Sequence, residues 1–279
     1  MKKILALLIL TSIAFTSAMA QARGGTQSRG GGASPIRGQA LNGTTGLYTL
    51  PTGYIGWEGN NDLALDIGYR AIFNSSGTAH IPSLTLSLFK FVEAAFAYDI
   101  QPDRYNNDDN DDLLMGFKVK LPTGNTAIAL GFNIQLINMS HNHNYNAYQP
   151  YIAISYPGNF FSMPAETTLV IGKTFHDNTD DTNIDFGMGF DIVLFPDVFN
   201  KLLHLIVDFA NFGYSHDAWP GGYNAAAWRG VFNVGFRFDL SQLPPFTKYK
   251  FVLDAAFNDI LDDGSRSFTF GVVFGIPLM

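Results

Sequence analysis

SFTFGVVFGIPLM, residues 267–279, holds no charged side chain and places a large apolar one at every second position. Phe268, Phe270, Val272, Phe274, Ile276 and Leu278 share one parity, and Ser267, Thr269, Gly271, Val273 and Gly275 share the other. A side-chain period of two belongs to a β-strand, whose successive residues point to opposite faces. One face of this strand is apolar along its whole length, so the question is what covers it.

The same alternation recurs upstream, with turn signals between segments. Leu63, Leu65, Ile67, Tyr69 and Phe73 alternate with Asp62, Asp66, Gly68 and Arg70. Val92, Ala94, Phe96 and Tyr98 oppose Glu93, Ala95, Ala97 and Asp99, and Leu113, Met115, Phe117 and Val119 oppose Gly116, Lys118 and Lys120. Similar segments cover 83–88, 128–135, 184–192, 228–239 and 249–258. Less regular ones lie near 147–156, 167–176 and 202–214; in 167–176, Leu169 and Ile171 share parity with Lys173. With 267–277 this makes about twelve strands, too apolar on one face and too charged on the other for a dry soluble core, where unpaired charge is costly.

The connections separate a barrel from a sandwich. Every odd connection is mostly polar: Asn74–Gly77, Gln101–Asp111, Ser140–Asn146, Asp177–Asn183, Ser215–Ala226 and Asp259–Ser265. The even ones are tight or proline-marked: Phe89–Phe91, Pro122–Asn125, Pro157–Glu166, Pro196–Lys201 and Ser241–Thr247. Short turns on one rim and longer polar loops on the other mark outer-membrane barrels. An even strand number returns both ends of the barrel to the short-turn rim, the periplasmic one. The expected fold is therefore all-β, a transmembrane antiparallel up-and-down β-barrel of about 12 strands, with the apolar parity on lipid. Tyr69, Phe73, Tyr98, Trp228 and Tyr249 suit its interfacial girdles.

The first residues agree. Lys2 and Lys3 precede the apolar run Ile4–Phe15 and then Thr16-Ser17-Ala18-Met19-Ala20, a signal-peptide pattern with cleavage expected after Ala20. Losing Lys2 and Lys3 takes the formal charge from −7 to −9, which argues against nucleic acid as a partner. Without cysteine the chain forms no disulfide, thiol nucleophile or lipidated N-terminus. The expected organisation is a signal peptide (1–20), a flexible Gly/Ser/Arg periplasmic tether (21–42), a pre-barrel segment or plug (43–60) and the barrel (61–279). Localisation in the outer membrane of a Gram-negative-type bacterium follows, with lipid, lipopolysaccharide and the barrel-assembly machinery as partners.

Two local patterns resemble known ones. Thr269-Phe270-Gly271-Val272-Val273-Phe274-Gly275-Ile276 is similar to the C-terminal signal by which outer-membrane barrels are recognised for assembly. Thr269, Gly271, Phe274 and Ile276 occupy its defining positions, although Pro277-Leu278-Met279 follows where an aromatic usually ends the chain. Gly46-Leu47-Tyr48-Thr49-Leu50-Pro51-Thr52, a Gly-Leu-x-x-x-Pro-Thr segment entering the first strand, resembles the YjbH-like outer-membrane family. That resemblance implies a link to exopolysaccharide export. Members of that family are longer and lipid-anchored, and this chain has no cysteine to lipidate. Read from its residues alone, Gly46–Pro51 is a bent strand or a short plug in the barrel mouth.

The inward parity carries the candidate functional residues. Asp66, Arg70, Glu93, Asp99, Lys118, Lys120, Asp185, Asp191, Arg229, Arg237, Asp239, Lys250 and Asp254 are expected to line the lumen. Charges on opposite walls would make a narrow polar pore with an ion preference; charges that pair across the lumen would close it. The expected function is a small passive, porin-like channel for ions or small polar solutes. The alternatives are a non-conducting structural barrel in an envelope or polysaccharide-export complex, and an outer-membrane hydrolase. Asp103–Asp112, DRYNNDDNDD, lacks the glycine and terminal glutamate of an EF-hand loop and reads as a solvated loop. Ser215-His216-Asp217 are adjacent in sequence, and neighbours on one loop rarely converge as a triad. His141 and His143 have no Glu or Cys nearby to complete a metal site. No catalytic residue, cofactor or metal is therefore assigned.

Overall fold

The computed structural model describes residues 37–57, 62–74, 77–101, 111–139, 143–176, 184–211, 230–244, 246–261 and 266–278. The expected signal peptide with its cleavage after Ala20, residues 21–36, most of the polar-loop stretches, Trp228 and Arg229 lie outside them.

Strands β1 (Leu63–Asn74), β2 (Gly77–Leu88), β3 (Val92–Asp99) and β4 (Asp112–Lys120) follow one another, each antiparallel to the last. Next come β5 (Ala127–Met139), β6 (His143–Phe160), β7 (Met163–Gly172) and the two-residue β8 (Phe175–His176). The wall continues with β9 (Asp185–Val193), β10 (Leu203–Ala210), β11 (Val231–Asp239), β12 (Lys250–Asn258) and β13 (Ser267–Pro277). β13 returns to pair antiparallel with β1, from Ala64↔Pro277 to Phe73↔Phe268, which closes the sheet.

β7 and β8 are one strand with a gap. Tyr151 pairs with Gly172 and Tyr148 with Phe175, so the register against β6 is unbroken. The gap falls opposite Pro150, which accepts from the Lys173 amide at 3.1 Å but has no N–H to return. The barrel thus has twelve staves. Lys173, whose parity obscured this strand in the sequence, lies at its loop-rim end with its ammonium 5.6 Å from the Phe175 ring centre.

Burial alternates along the staves as the parity requires. In β13, Ser267, Thr269, Gly271, Val273 and Gly275 are buried, while Phe268, Phe270 and Phe274 are exposed. Ile67, Leu84, Phe117, Leu130, Ile152 and Phe236 are among the many large apolar side chains that stand on the outer surface. Such a face is unfavourable in water and suited to lipid. Pro277 fits at the end of β13 because Leu278 N donates to Leu63 O at 2.8 Å. The Pro277 nitrogen faces away from β1, beyond the first residue of β12, where no partner asks for a proton.

Two expected connections differ. Pro157–Glu166 is not a long turn: β6 and β7 stay paired to Phe160↔Met163, leaving only Phe161 and Ser162 between them. Pro157 is tolerated because its nitrogen points past the start of β5, where the ladder has ended. Ser140–Asn146 is also shorter than expected, since β5 and β6 pair as far as Met139↔His143. At the turn rim, Phe89 and Lys90 (φ 51° and 66°) and Phe161 and Ser162 (φ 45° and 67°) take the left-handed conformation. Phe195 (φ 43°), Asn200 and Lys201 do so on either side of a single helical turn, Pro196–Phe199. Two successive left-handed residues, as at 89–90 and 161–162, are the pattern of a type I′ turn, and Phe195 stands alone before its helical turn; left-handed positions favour Gly, Asn and Asp. A bulky residue there costs roughly 1–2 kcal/mol.

The outward face supplies a first prediction. Phe117 is half exposed near the middle of β4. Phe117→Arg should lower stability in phospholipid vesicles by about 2–4 kcal/mol, the cost of a cation at mid-depth on a lipid face. Phe117→Leu should stay within about 1.5 kcal/mol; urea titration of the refolded barrel measures both.

Candidate functional site

The lumen is occupied. Residues 37–57 run inside the barrel, almost all of them buried, and Arg37–Asn42, expected at the end of a flexible tether, lie there too. They are buried because the barrel wall supplies the partners that their composition does not reveal. The segment folds back on itself through the bridges Gln39↔Thr45 and Gly46↔Pro51 and through Leu41 N to Tyr48 O at 3.0 Å. Both of its ends lie toward the turn rim. Arg37 bonds to Glu166 near the start of β7 and stacks on Tyr54; Trp57 Nε1 donates to Asp66 near the start of β1 at 2.6 Å.

Because the segment has little regular structure, its peptide groups need partners from the wall. Glu93 accepts from the Thr45 amide at 2.7 Å, from the Thr45 hydroxyl at 2.5 Å and from the Gly56 amide at 3.0 Å. Lys118 lies 3.2 Å from Glu93 and donates to the Thr45 carbonyl at 2.9 Å. Arg237 makes a two-pronged pair with Asp254 at 2.8 and 3.2 Å and donates to the carbonyls of Gly46 and Leu47, both at 3.1 Å. Arg70 shares Asp254 at 3.2 Å and donates to the Gln39 carbonyl. Lys250 donates to Asp66 at 2.6 Å.

The densest contact was not foreseen. Asp208 on β10 receives three consecutive amides on one oxygen, from Tyr48 (2.9 Å), Thr49 (2.7 Å) and Leu50 (3.4 Å). Its other oxygen accepts from Asn233 at 2.7 Å. Three convergent N–H groups make a concave anion site of the kind backbone turns provide. Beside it the Tyr48 hydroxyl bonds to Thr269, and burial pushes that phenol's pKa up, keeping it protonated.

Apolar packing completes the fit. Leu41 and Tyr48 meet Ile72, Ala79, Ile81, Ala97, Leu114, Ala147 and Ala256 toward the loop rim. Leu47 and Leu50 pack with Tyr151, Ala153, Val170, Ile206 and Ala210. Two wall glycines on β9 make the room: a Cβ on Gly187 would stand 2.3 Å from Leu50 Cδ2, and one on Gly189 2.3 Å from Leu47 Cδ1.

Seven residues expected on the lumen wall thus hold the segment or pair beside it: Asp66, Arg70, Glu93, Lys118, Arg237, Lys250 and Asp254. The others make different contacts. Asp99 and Asp112 face each other across β3 and β4 near the loop rim, with Gln101 Nε2 at 3.4 and 3.3 Å. Asp185 accepts from Gln149 at 3.3 Å. Asp239 accepts from the Ser241 amide at 3.0 Å, capping a short 3-10 turn. Lys120 is half-buried with its ammonium 5.3 Å from the Tyr54 ring centre, and Arg229 is outside the described residues. In the C-terminal pattern, Thr269 and Gly271 face the lumen, whereas Phe274 and Ile276 face outward.

Asp191 meets His204, at 2.6 Å on Nδ1, while His204 Nε2 faces the Lys201 carbonyl at 3.1 Å. Both ring nitrogens are thus engaged, one by a carboxylate and one by a backbone carbonyl. Ser215, His216, Asp217 and His141 lie outside the described residues, as do residues 102–110 of the acidic loop, and His143 opens β6. Among the described residues no group of three His, Asp or Glu is placed to hold a metal ion.

No protein-family model and no curated protein matches the chain. Solved structures similar to it include the KdgM porin, 9% identical over 77% of this chain and 99% of that one, with a TM-score of 0.47. The outer membrane protein Omp33 of Acinetobacter baumannii is 10% identical over 78% and 98%, with a TM-score of 0.44. OprD of Pseudomonas aeruginosa is 12% identical over 81% and 68%, with a TM-score of 0.33.

Asp208 tests how the segment is held. Asp208→Ala removes the acceptor of three amides and should cost about 1.5–3 kcal/mol, the range for a hydrogen-bonded charged group. Amide exchange should accelerate at Tyr48, Thr49 and Leu50 while the β1–β13 seam keeps its protection, as hydrogen-exchange mass spectrometry or NMR would register.

Proposed function

We propose that this protein is an outer-membrane barrel of the channel type, held shut at rest by its own residues 37–57. One observation carries the reading. Wall charges suited to a polar pore are satisfied by the backbone of a segment that enters and leaves by the same rim. A segment with both ends at one rim can be withdrawn through that rim without threading a free chain end through the barrel. With the segment out, the exposed carboxylates and cations would line a water-filled path for ions or small polar solutes. Outer-membrane placement is supported by the apolar outer surface, and assembly through Thr269, Gly271, Phe274 and Ile276 belongs with it.

A permanently closed, structural barrel is the competing reading, favoured by the apolar packing of Leu41 and Tyr48 near the loop rim. A role in an envelope or polysaccharide-export complex would fall under it.

Planar-bilayer recording separates the two. The mature chain should show no steady conductance, and a variant lacking 37–57, or a Glu93→Ala/Glu166→Ala/Asp208→Ala variant, should conduct in discrete steps. Because the chain has no cysteine, Asn42→Cys/Asn133→Cys, at positions whose side chains touch at 3.0 Å, can be bridged by a short thiol-reactive linker. Bridging the pair should abolish any residual openings. A folded variant freed of the segment that stays silent over the whole voltage range overturns the channel reading and leaves the structural one.

A further inference from the structure

The turn rim carries a repeated anomaly. Phe89, Phe161 and Phe195 each occupy a left-handed backbone position, the place in a tight turn where Gly, Asn or Asp is favoured. All three rings are exposed, Phe161 to 82%. Phe91, Val198 and Phe199 stand exposed beside them. Strain retained at three separate turns calls for a compensating contact. Within the chain each ring meets a neighbouring Phe of its own turn, Phe89 on Phe91, Phe161 edge-on to Phe160 and Phe195 beside Phe199, yet all three keep most of their surface open. Lysine is interleaved with these rings: Lys90 follows Phe89, Lys201 follows the Pro196–Phe199 turn, and Lys248 follows Phe246. Lys90 is only loosely paired, 3.8 Å from an exposed Asp62, and Asp197 is the other acidic residue described on these turns.

We infer that these turns form a membrane foot, an interaction surface for the phospholipid leaflet on the turn side, with the Phe rings at the boundary of acyl chains and headgroups and the lysines at the phosphates. The apolar outer face continues into the turns without a polar break. Leu88 leads into Phe89 and Phe91, and Phe238, Tyr249 and Phe274 are exposed just above the rim. Aromatic rings and lysine stems both have one apolar and one polar end, which suits that depth. The turn between β4 and β5 is the built-in contrast: Pro122, Thr123, Gly124 and Asn125 are exposed and carry no large apolar side chain. This inference rests on the reading of the barrel as membrane-inserted and is independent of whether it conducts.

Two measurements test it. Single cysteines at Phe161, Gly124 and Phe117 are labelled with an environment-sensitive fluorophore, and the barrels are refolded into phosphatidylethanolamine–phosphatidylglycerol vesicles carrying depth-graded quenchers. The label at 161 should be quenched from within the headgroup boundary, that at 117 from the acyl region, and that at 124 mainly from water. A water-quenched label at 161 with a lipid-quenched one at 117 overturns the foot and leaves membrane insertion intact. Water quenching at both overturns insertion itself. Second, Phe89→Asn, Phe161→Asn and Phe195→Asn relieve the backbone, so without a lipid contact they should raise the urea midpoint in vesicles. The foot requires that the triple variant's midpoint fall, and that Lys90→Glu/Lys201→Glu/Lys248→Glu lower it further; a rise overturns it, including the case where a periplasmic protein covers these rings instead.

Discussion

A peptide segment enclosed by a barrel cannot bond to bulk water, so each N–H and C=O it brings inside that it does not satisfy itself must be met by the wall. That requirement explains why so many charges face inward here. Glu93 and Asp208 act as acceptors for five amide groups of residues 37–57, and Lys118, Arg70 and Arg237 act as donors for four carbonyls of the same segment. The charges are in turn neutralised beside one another, Lys118 by Glu93, Arg70 and Arg237 by Asp254, Lys250 by Asp66. Removing one partner of such a buried pair costs far more than the pair contributes. The charged wall therefore needs polar partners, and in this structure the segment supplies them. A dry, empty barrel with this wall is excluded.

The barrel was legible in the sequence because lipid and lumen impose opposite demands on alternate residues. Where that contrast was sharp, as in Ser267–Pro277 or Val92–Asp99, parity named the face of each side chain. Where it blurred, the reading lost residues. On β10 the inward set is His204, Ile206, Asp208 and Ala210, so an inward isoleucine hid the aspartate that binds three consecutive amides of the segment. Glu166 was placed in a turn because prolines flank it, yet Pro157 sits where the ladder had already ended and broke nothing. The segment itself gave less warning. Arg37–Trp57 has no period, because its side chains answer to a dozen wall positions scattered through the chain, and Gly46–Pro51 was distinctive only as a local pattern. The glycines of β9 were visible as small residues on the inward face; that they are sockets for Leu47 and Leu50 depends on a segment some 140 residues away.

The molecule divides its chemistry by solvent. Its outer surface meets hydrocarbon and carries Phe, Leu, Ile and Val; its inner surface meets peptide and carries charge, amide and glycine. The turn rim belongs to neither, and there the chain keeps Phe at backbone angles where asparagine would be easier. A turn built only to reverse the chain would have no reason to bear that strain. The polar turn at Pro122–Asn125 shows that this barrel can close a hairpin without it.

What holds the segment and what places it are different interactions. Each hydrogen bond to the wall is exchanged for one to water if the segment leaves, so its net contribution is about 0.5–1.5 kcal/mol, or 1.5–3 where a charge takes part. Leu41, Leu47, Leu50 and Ile55 have no such replacement, and each returns about 1.5–3 kcal/mol of burial to the solvent on leaving. The polar contacts are directional, and they fix register: one oxygen of Asp208 takes the amides of 48–50, and Glu93 with Lys118 grips both sides of Thr45. The apolar contacts are undirected, and no water that enters the lumen can substitute for them. Hydration of the wall alone thus leaves the segment in place, whereas any change that withdraws Leu47 and Leu50 from their glycine sockets breaks the part of the hold that water cannot restore.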